Sequence, residues 1–406
     1  MPPSIARWTL LSKSLPLARS SHAVSVTPSG HLLTYGGELK PRTPVDSTNA
    51  PIHIFNLSSA YRNVNSAWIT AQADVGKEGG DGIPESRVGA TAVWNEGDKS
   101  VYMWGGRGGV DMAPLSLYQS GVWRASIGGE DGLQSVRGNE GEENQDHGHE
   151  QVKWERVVSL NDEEAPESRS YHCAVTCGGE MFIHAGCPTS GRLSTLHSFD
   201  LKTHTWSKLS DGPEPPRGGT SLAATMVNKS KVLLRFGGFS GAELPDPSQP
   251  GIIDIYSVTS NIWFSSIQPS PDPKHGYPGP RSVHGFTSFS FSSPAPASPL
   301  HDDSQVKAIL YHGEKDASSL GHAGAGVFWD DVWVLSHDNS LDSLSITEGW
   351  SWKRLEVVGD EKPEGRGWFP PSVWKDEETQ KDRVVMFGGL VGNNERKGEL
   401  WVLDVQ

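Results

Sequence analysis

The 406-residue sequence predicts an all-β protein, a six-bladed β-propeller, and three observations carry that prediction: a motif that recurs six times, a last repeat that ends one strand short, and a spare strand at the N-terminus. Each recurrence opens with an arginine soon after a proline: Pro16/Arg19, Pro84/Arg87, Pro166/Arg169, Pro216/Arg217, Pro280/Arg281 and Pro363/Arg366. An apolar run follows and ends in a small-residue pair: TYGG (34–37), MWGG (103–106), IHAG (183–186), RFGG (235–238), YHG (311–313) and MFGG (386–389). Next comes an alternating run: IHIFNL (52–57), SGVWRA (120–125), LHSFDL (196–201), IIDIYSV (252–258), DVWVL (331–335) and LWVLDV (400–405). A tryptophan closes most repeats, at Trp68, Trp154, Trp206, Trp263 and Trp352.

These runs have the logic of a four-stranded blade. The first two strands read as continuous apolar segments because neighbouring blades bury both their faces. The glycine pair turns the backbone where a side chain would strike the next blade. The outer two strands alternate, as half-buried strands do, and the tryptophan caps them. The sixth repeat stops at Gln406 without its tryptophan strand, and Ala6-Arg7-Trp8-Thr9-Leu10-Leu11 stands ready to supply it. That strand is expected to close the last blade and remove an open edge.

Residues 1–406 are therefore read as one propeller domain with two interruptions. The acidic, glycine-rich segment 126–150 is expected to be a disordered insertion, and 292–305 a flexible loop between the first two strands of the fifth repeat. A formal charge of −14 with no basic stripe argues against nucleic acid as a partner. The N-terminus lacks the apolar core of a signal peptide and no apolar run reaches the roughly 20 residues of a membrane helix. Three clustered cysteines (Cys173, Cys177 and Cys187) do not make a disulfide framework. They read as apolar thiols rather than zinc ligands. A cytoplasmic protein is the expectation.

With the repeats in view, the chain resembles the Kelch family, and within it the nitrile-specifier group of plants with its fungal relatives. The segments that carry the likeness are GGRGG (105–109), SGRLSTLHSFDL (190–201), PPRGGTSLA (215–223), GFSGAEL (238–244), GRGWF (365–369) and HGEKDASSLGHAGAGVFWDDVWVL (312–335). The resemblance implies ferrous iron held by a Glu-x3-Asp-x3-His stretch. It also implies an activity on unstable thiohydroximate-O-sulfates, released from glucosinolates by myrosinase and redirected toward nitriles. Glu314 and His322 occupy the outer positions of that stretch, Ser318 stands where the aspartate belongs, and Asp316 lies two residues out of place. One reading is a carboxylate-shifted Fe(II) site; the other is a loop in which Asp316 or Ser318 caps a turn.

Arg19, Arg87, Arg169, Arg217, Arg281 and Arg366 likewise have two readings. As a cationic ring they would hold the sulfate of a substrate. As a feature of every repeat they read as scaffold, which is preferred for most of them. His22, His172 and His284 stand near three of these arginines and are read as backbone-bonded strand ends or as acid/base groups. Two functions follow: an iron-dependent lyase acting on a small anionic substrate at the channel mouth, or a non-catalytic scaffold for a protein partner. A homodimer is the assembly to test, and a membrane partner is not expected.

Overall fold

The computed structural model describes residues 3–46, 49–63, 66–73, 82–127, 151–241, 250–291, 306–320, 324–338 and 345–406. The predicted insertion at 292–305 and all of 126–150 except Ser126 and Ile127 lie outside them; those two residues end the strand Trp123–Ile127. Among the described residues no helix is long and apolar enough to cross a membrane.

The chain is all-β, and the strands fall into four-stranded antiparallel meanders that follow the sequence repeats. The first takes Ala23–Val26, His31–Tyr35, Ile52–Asn56 and Ile69–Ala73. The third and fourth form separate sheets, Cys173–Lys208 and Ser221–Ile267, while the first pairs with the second and the fifth with the sixth along outer strands. In the last unit Ser372–Lys375, Asp382–Phe387 and Glu399–Val405 are completed by Ile5–Lys13, in register Trp8↔Leu403 and Leu10↔Trp401. Trp8 is buried there, edge-on to Tyr311 and His312.

Apolar side chains pack between units, not within them. One cluster joins Leu33, Ile54 and Tyr35 of the first unit to Met103, Trp123 and Trp154 of the second. Each later junction has its own cluster, including one that sets Val24, Leu32 and Phe55 of the first unit against Val385, Phe387 and Val402 of the last. The closing tryptophans also reach across: Trp154 donates its indole N–H to Ala50 O at 2.8 Å and Trp352 to Gly251 O at 2.7 Å.

The arginines and glycine pairs form one repeated joint. Nη1 of each arginine donates to the carbonyl of the first residue of its own unit's pair: Gly36, Gly105, Ala185, Gly237, His312 and Gly388, at 2.9–3.2 Å. Those six residues all have φ between 54° and 72°. The N–H of the second residue of the pair then donates to the carbonyl of the next unit's arginine. Gly37 binds Arg87, Gly106 Arg169, Gly186 Arg217, Gly238 Arg281, Gly313 Arg366 and Gly389 Arg19, at 2.8–3.0 Å. The last of these returns to the first unit, so the cycle closes.

Histidines wedge three of the junctions. His22, His172 and His284 stand edge-on to Phe387, Trp104 and Phe236 of the preceding unit at 5.0–5.5 Å. Burial pushes His22 and His172 down to about 3, with the charges of Arg19 and Arg169 acting in the same direction; burial does the same to His312.

Two predictions follow from the closure and the wedges. Trp8→Ala is expected to cost about 3–5 kcal/mol, read from the urea midpoint, and deletion of residues 1–12 more. A truncated chain that melts within a degree or two of the full one would contradict that closure. The histidines set an acid limit: between pH 6.5 and about 3 the unfolded chain binds protons that the folded chain refuses. Stability therefore falls as pH falls through that window, by about 1.4 kcal/mol per pH unit for each such histidine. Denaturation midpoints measured from pH 7 to pH 5 should drop accordingly, and His172→Gln should make the drop shallower.

Candidate functional site

The residue after each glycine pair is bridged to the residue after an arginine: Ser20 with Glu38, Val88 with Arg107, Ser170 with Cys187, Gly218 with Phe239, Ser282 with Glu314 and Gly367 with Leu390. The scaffold is uniform at these positions but the side chains are not. Where they meet, at one end of the central channel, they build a pocket of about 40 Å³ whose lining includes Glu38, Arg42, Arg107, Tyr171, Trp368 and Arg396.

A second set of backbone bonds rings this end. The residues two places after each arginine are Ser21, Gly89, Tyr171, Gly219, Val283 and Trp368, all with φ between 47° and 65°. Each donates its N–H to the carbonyl of the preceding member at 2.7–3.0 Å, and Ser21 closes the circle by donating to Trp368. Tyr171 and Trp368 meet as a T-shaped pair with centroids 5.3 Å apart. They line both the mouth pocket and the inner channel cavity of about 120 Å³, and so stand between the two.

One side of the mouth is charged. Buried Glu38 accepts from Nη2 of Arg396 at 3.1 Å and from the backbone N–H of Arg42 at 2.7 Å. Arg107 donates Nε to Ser170 Oγ at 2.7 Å, and its guanidinium carbon lies 5.5 Å from the centroid of the Tyr171 ring. Among the described residues neither terminal nitrogen of Arg107 has a hydrogen-bond partner. The rest of the lining is mostly apolar, with Met112 and Leu390 beside Tyr171 and Trp368, and buried Cys187, Phe239 and Val283 pack behind the two rings. The arrangement is suited to an anion with an apolar body, with directed N–H donors on one side and carbon on the other.

The six repeat arginines are placed elsewhere. Arg19, Arg87, Arg169, Arg281 and Arg366 are at most 2% exposed, and Nε of each donates to a carbonyl two residues back at 2.8–3.2 Å. Three also hold a carboxylate: Arg19 with Asp46, Arg281 with Asp331 and Arg366 with Glu399. Arg217 is half-buried and donates to Gly237 O. None of the six lines the mouth pocket or the inner cavity.

The candidate iron ligands divide in the same way. Glu314 is buried, Asp316 is exposed, Ser318 Oγ accepts the N–H of Leu320 at 3.1 Å, and His322 lies outside the described residues. Among the described residues no group of three or more His, Cys, Asp or Glu side chains is placed to hold a metal ion. Glu314 is thus the buried carboxylate of that stretch, and a ferrous site takes several donors at once. His22, His172 and His284 line the inner cavity, and the three cysteines are free thiols.

Sequence reasoning did not single out Glu38, Arg42, Tyr171 or Arg396, and met Arg107 only inside GGRGG and Trp368 only inside GRGWF. The signal available was the same position compared across repeats: two past the arginine, Tyr171 and Trp368 stand where Ser21, Gly89 and Gly219 are small, and after the glycine pair a charge stands at Glu38, Arg107 and Glu314 but not in the other three.

Comparison with known proteins agrees with the geometry. A family model described as the KLHDC2/KLHL20/DRC7 Kelch-repeats domain matches residues 78–291. The chain is 23% identical over 403 residues to the N-(sulfonatooxy)prop-2-enimidothioate sulfolyase of Thlaspi arvense, across 96% of this chain and 94% of that protein. It is 22% identical to Kelch domain-containing protein 1 of Homo sapiens over 349 residues, 76% of each chain. Against host cell factor 1 of Homo sapiens it is 24% identical, over 63% of this chain and 11% of that protein. The solved structure titled "Structure of YjhT" superposes with a TM-score of 0.58 at 12% identity, covering 98% of this chain and 100% of that one, a likeness of fold. Repeat, joint and family match agree: the chain belongs to the Kelch-repeat family of β-propellers.

Proposed function

We propose that the chain is a six-bladed Kelch propeller that binds a small organic anion at its channel mouth, with a specifier-like activity on thiohydroximate-O-sulfates. The blade count is supported by the two closed cycles of six backbone hydrogen bonds. The activity is supported by likeness to the Thlaspi arvense sulfolyase along nearly the whole of both chains. The observation that carries the anion site is Arg107, which faces the mouth with both terminal nitrogens unspent among the described residues, beside Arg42 and Arg396. Nitrile formation from such a substrate breaks the N–O and C–S bonds: the N–O electron pair leaves with the sulfate oxygen, the C–S pair becomes the third bond between carbon and nitrogen, and sulfur departs as the neutral element, so no outside oxidant or reductant is needed. A guanidinium fixed at that oxygen stabilises the charge as it accumulates.

Two experiments test this. Phenyl sulfate titrated calorimetrically should bind the wild type, and Arg107→Gln should weaken it by about tenfold or more, the worth of a hydrogen bond to a charged group. With a glucosinolate and myrosinase, the wild type should raise the nitrile share of products and Arg107→Gln should not. Absence of both binding and product change would end the anion reading. Iron is a separate proposal, resting on Glu314 and His322. Anaerobic Fe(II) titration should show weak uptake in the wild type, tighter uptake in Ser318→Asp, and none in Glu314→Ala.

A second reading, a protein-docking face, is favoured by one observation. Eleven large apolar side chains are exposed among the described residues, and six of them, Leu117 and Tyr118 included, lie on the connections that follow glycine pairs at the mouth end. Leu39, Val110, Leu320 and Val327 lie on the loops that follow glycine pairs. Apolar exposure gathered at one end in this way marks interaction surfaces.

A further inference from the structure

The ring position two residues after each arginine imposes positive φ on whatever occupies it. Glycine fills it at Gly89 and Gly219, where that conformation is unstrained. Tyr171 and Trp368 hold the same conformation at φ 53° and 61°, an outlier for a bulky side chain that carries backbone strain. The ring itself does not need them, because its hydrogen bonds are backbone to backbone. What they add is an aromatic floor under the mouth pocket. The guanidinium of Arg107 stands over one ring, Met112 and Leu390 lie beside the pair in the lining, and buried Phe239, Val283 and Cys187 back the rings.

From this juxtaposition we infer that Tyr171 and Trp368 are specificity-determining residues of the mouth site. They select organic anions that carry a flat, apolar group over inorganic or small alkyl anions. The anionic head meets Arg107 and the flat group lies on the aromatic pair, where offset or edge contact is favourable. The two rings also separate this ligand from the inner cavity, so selection takes place at the mouth. This rests on the anion reading above, and the ring position supplies clean variants: Trp368→Gly and Tyr171→Gly place there the residue that two other units already use.

The test is calorimetric titration of the full chain with sodium sulfate, methyl sulfate and phenyl sulfate. The wild type should bind phenyl sulfate about tenfold more tightly than methyl sulfate. Each glycine variant should lower that ratio by about twofold to tenfold, the range of one aromatic contact. Melting temperature checks that the variants fold. Should Trp368→Gly lose stability, Trp368→Ser takes its part, since Ser21 already holds the equivalent place in the first unit. Methyl and phenyl sulfate binding equally in the wild type, or a ratio unmoved in both variants, overturns the inference and leaves the anion reading standing. Failure of every anion to bind overturns both.

Discussion

The fold depends on a buried guanidinium bound to a carbonyl at the end of the second strand. In each unit that bond fixes where the arginine loop sits. The arginine's own carbonyl is then in place to accept the N–H of the preceding unit's second pair residue. Arginine suits the task because its charge survives desolvation: burial lowers Arg87 and Arg169 only to about 10, so both remain cationic at neutral pH. Those two have carbonyls and a hydroxyl as partners, whereas Arg19, Arg281 and Arg366 also hold carboxylates. A neutral replacement would leave several buried carbonyls unpaired at once, each costing about 1–3 kcal/mol. That scaffold role alone is reason enough for an arginine in every repeat.

A joint repeated in this way confines variation to the few side chains it does not use. They are the residue after the glycine pair, the residue two past the arginine, and the wedge residue three past it. The wedge varies with the packing of its junction, as histidine against Phe387, Trp104 and Phe236 and as Ala90, Thr220 and Phe369 elsewhere. The other two positions converge on the channel mouth, and there Arg107, Tyr171 and Trp368 depart from the repeat. Function in such a ring is written in the exceptions, since the repeated residues are committed to the scaffold.

This explains which parts were legible in the sequence. Strands, glycine pairs, the Pro/Arg opening and the spare strand around Trp8 are local patterns, visible within a few residues and reinforced by repetition. The mouth is not local. Glu38 and Arg396 lie 358 positions apart and touch only because the ring closes. No motif spacing encodes that contact. The repeat arginines were visible and invited a substrate role, but burial and carbonyl pairing, which decide whether a guanidinium has donors to spare, are not properties of sequence. The Glu314 stretch was legible as a departure from a motif; what the sequence did not carry is that Asp316 is exposed and that Ser318 Oγ accepts the N–H of Leu320.

The same division bears on the two functional readings. Arg107 can change without touching either closed cycle, because the bonds of both cycles lie in the backbone. Among the described residues, its donation to Ser170 is all that ties its side chain to the neighbouring unit through a hydrogen bond. The exposed Val110 and Leu320 likewise contribute nothing to the junction cores. A ring held by main-chain bonds and buried arginines therefore tolerates either a small anion or a protein surface at its mouth. Both would occupy one end of the molecule, since the apolar loops stand around the pocket that Arg107 serves. A protein partner seated on Val110 and Val327 would cover the route to Arg107. The two readings are thus competitors for one surface, and occupancy of the mouth by an anion is the measurement in which each bears on the other.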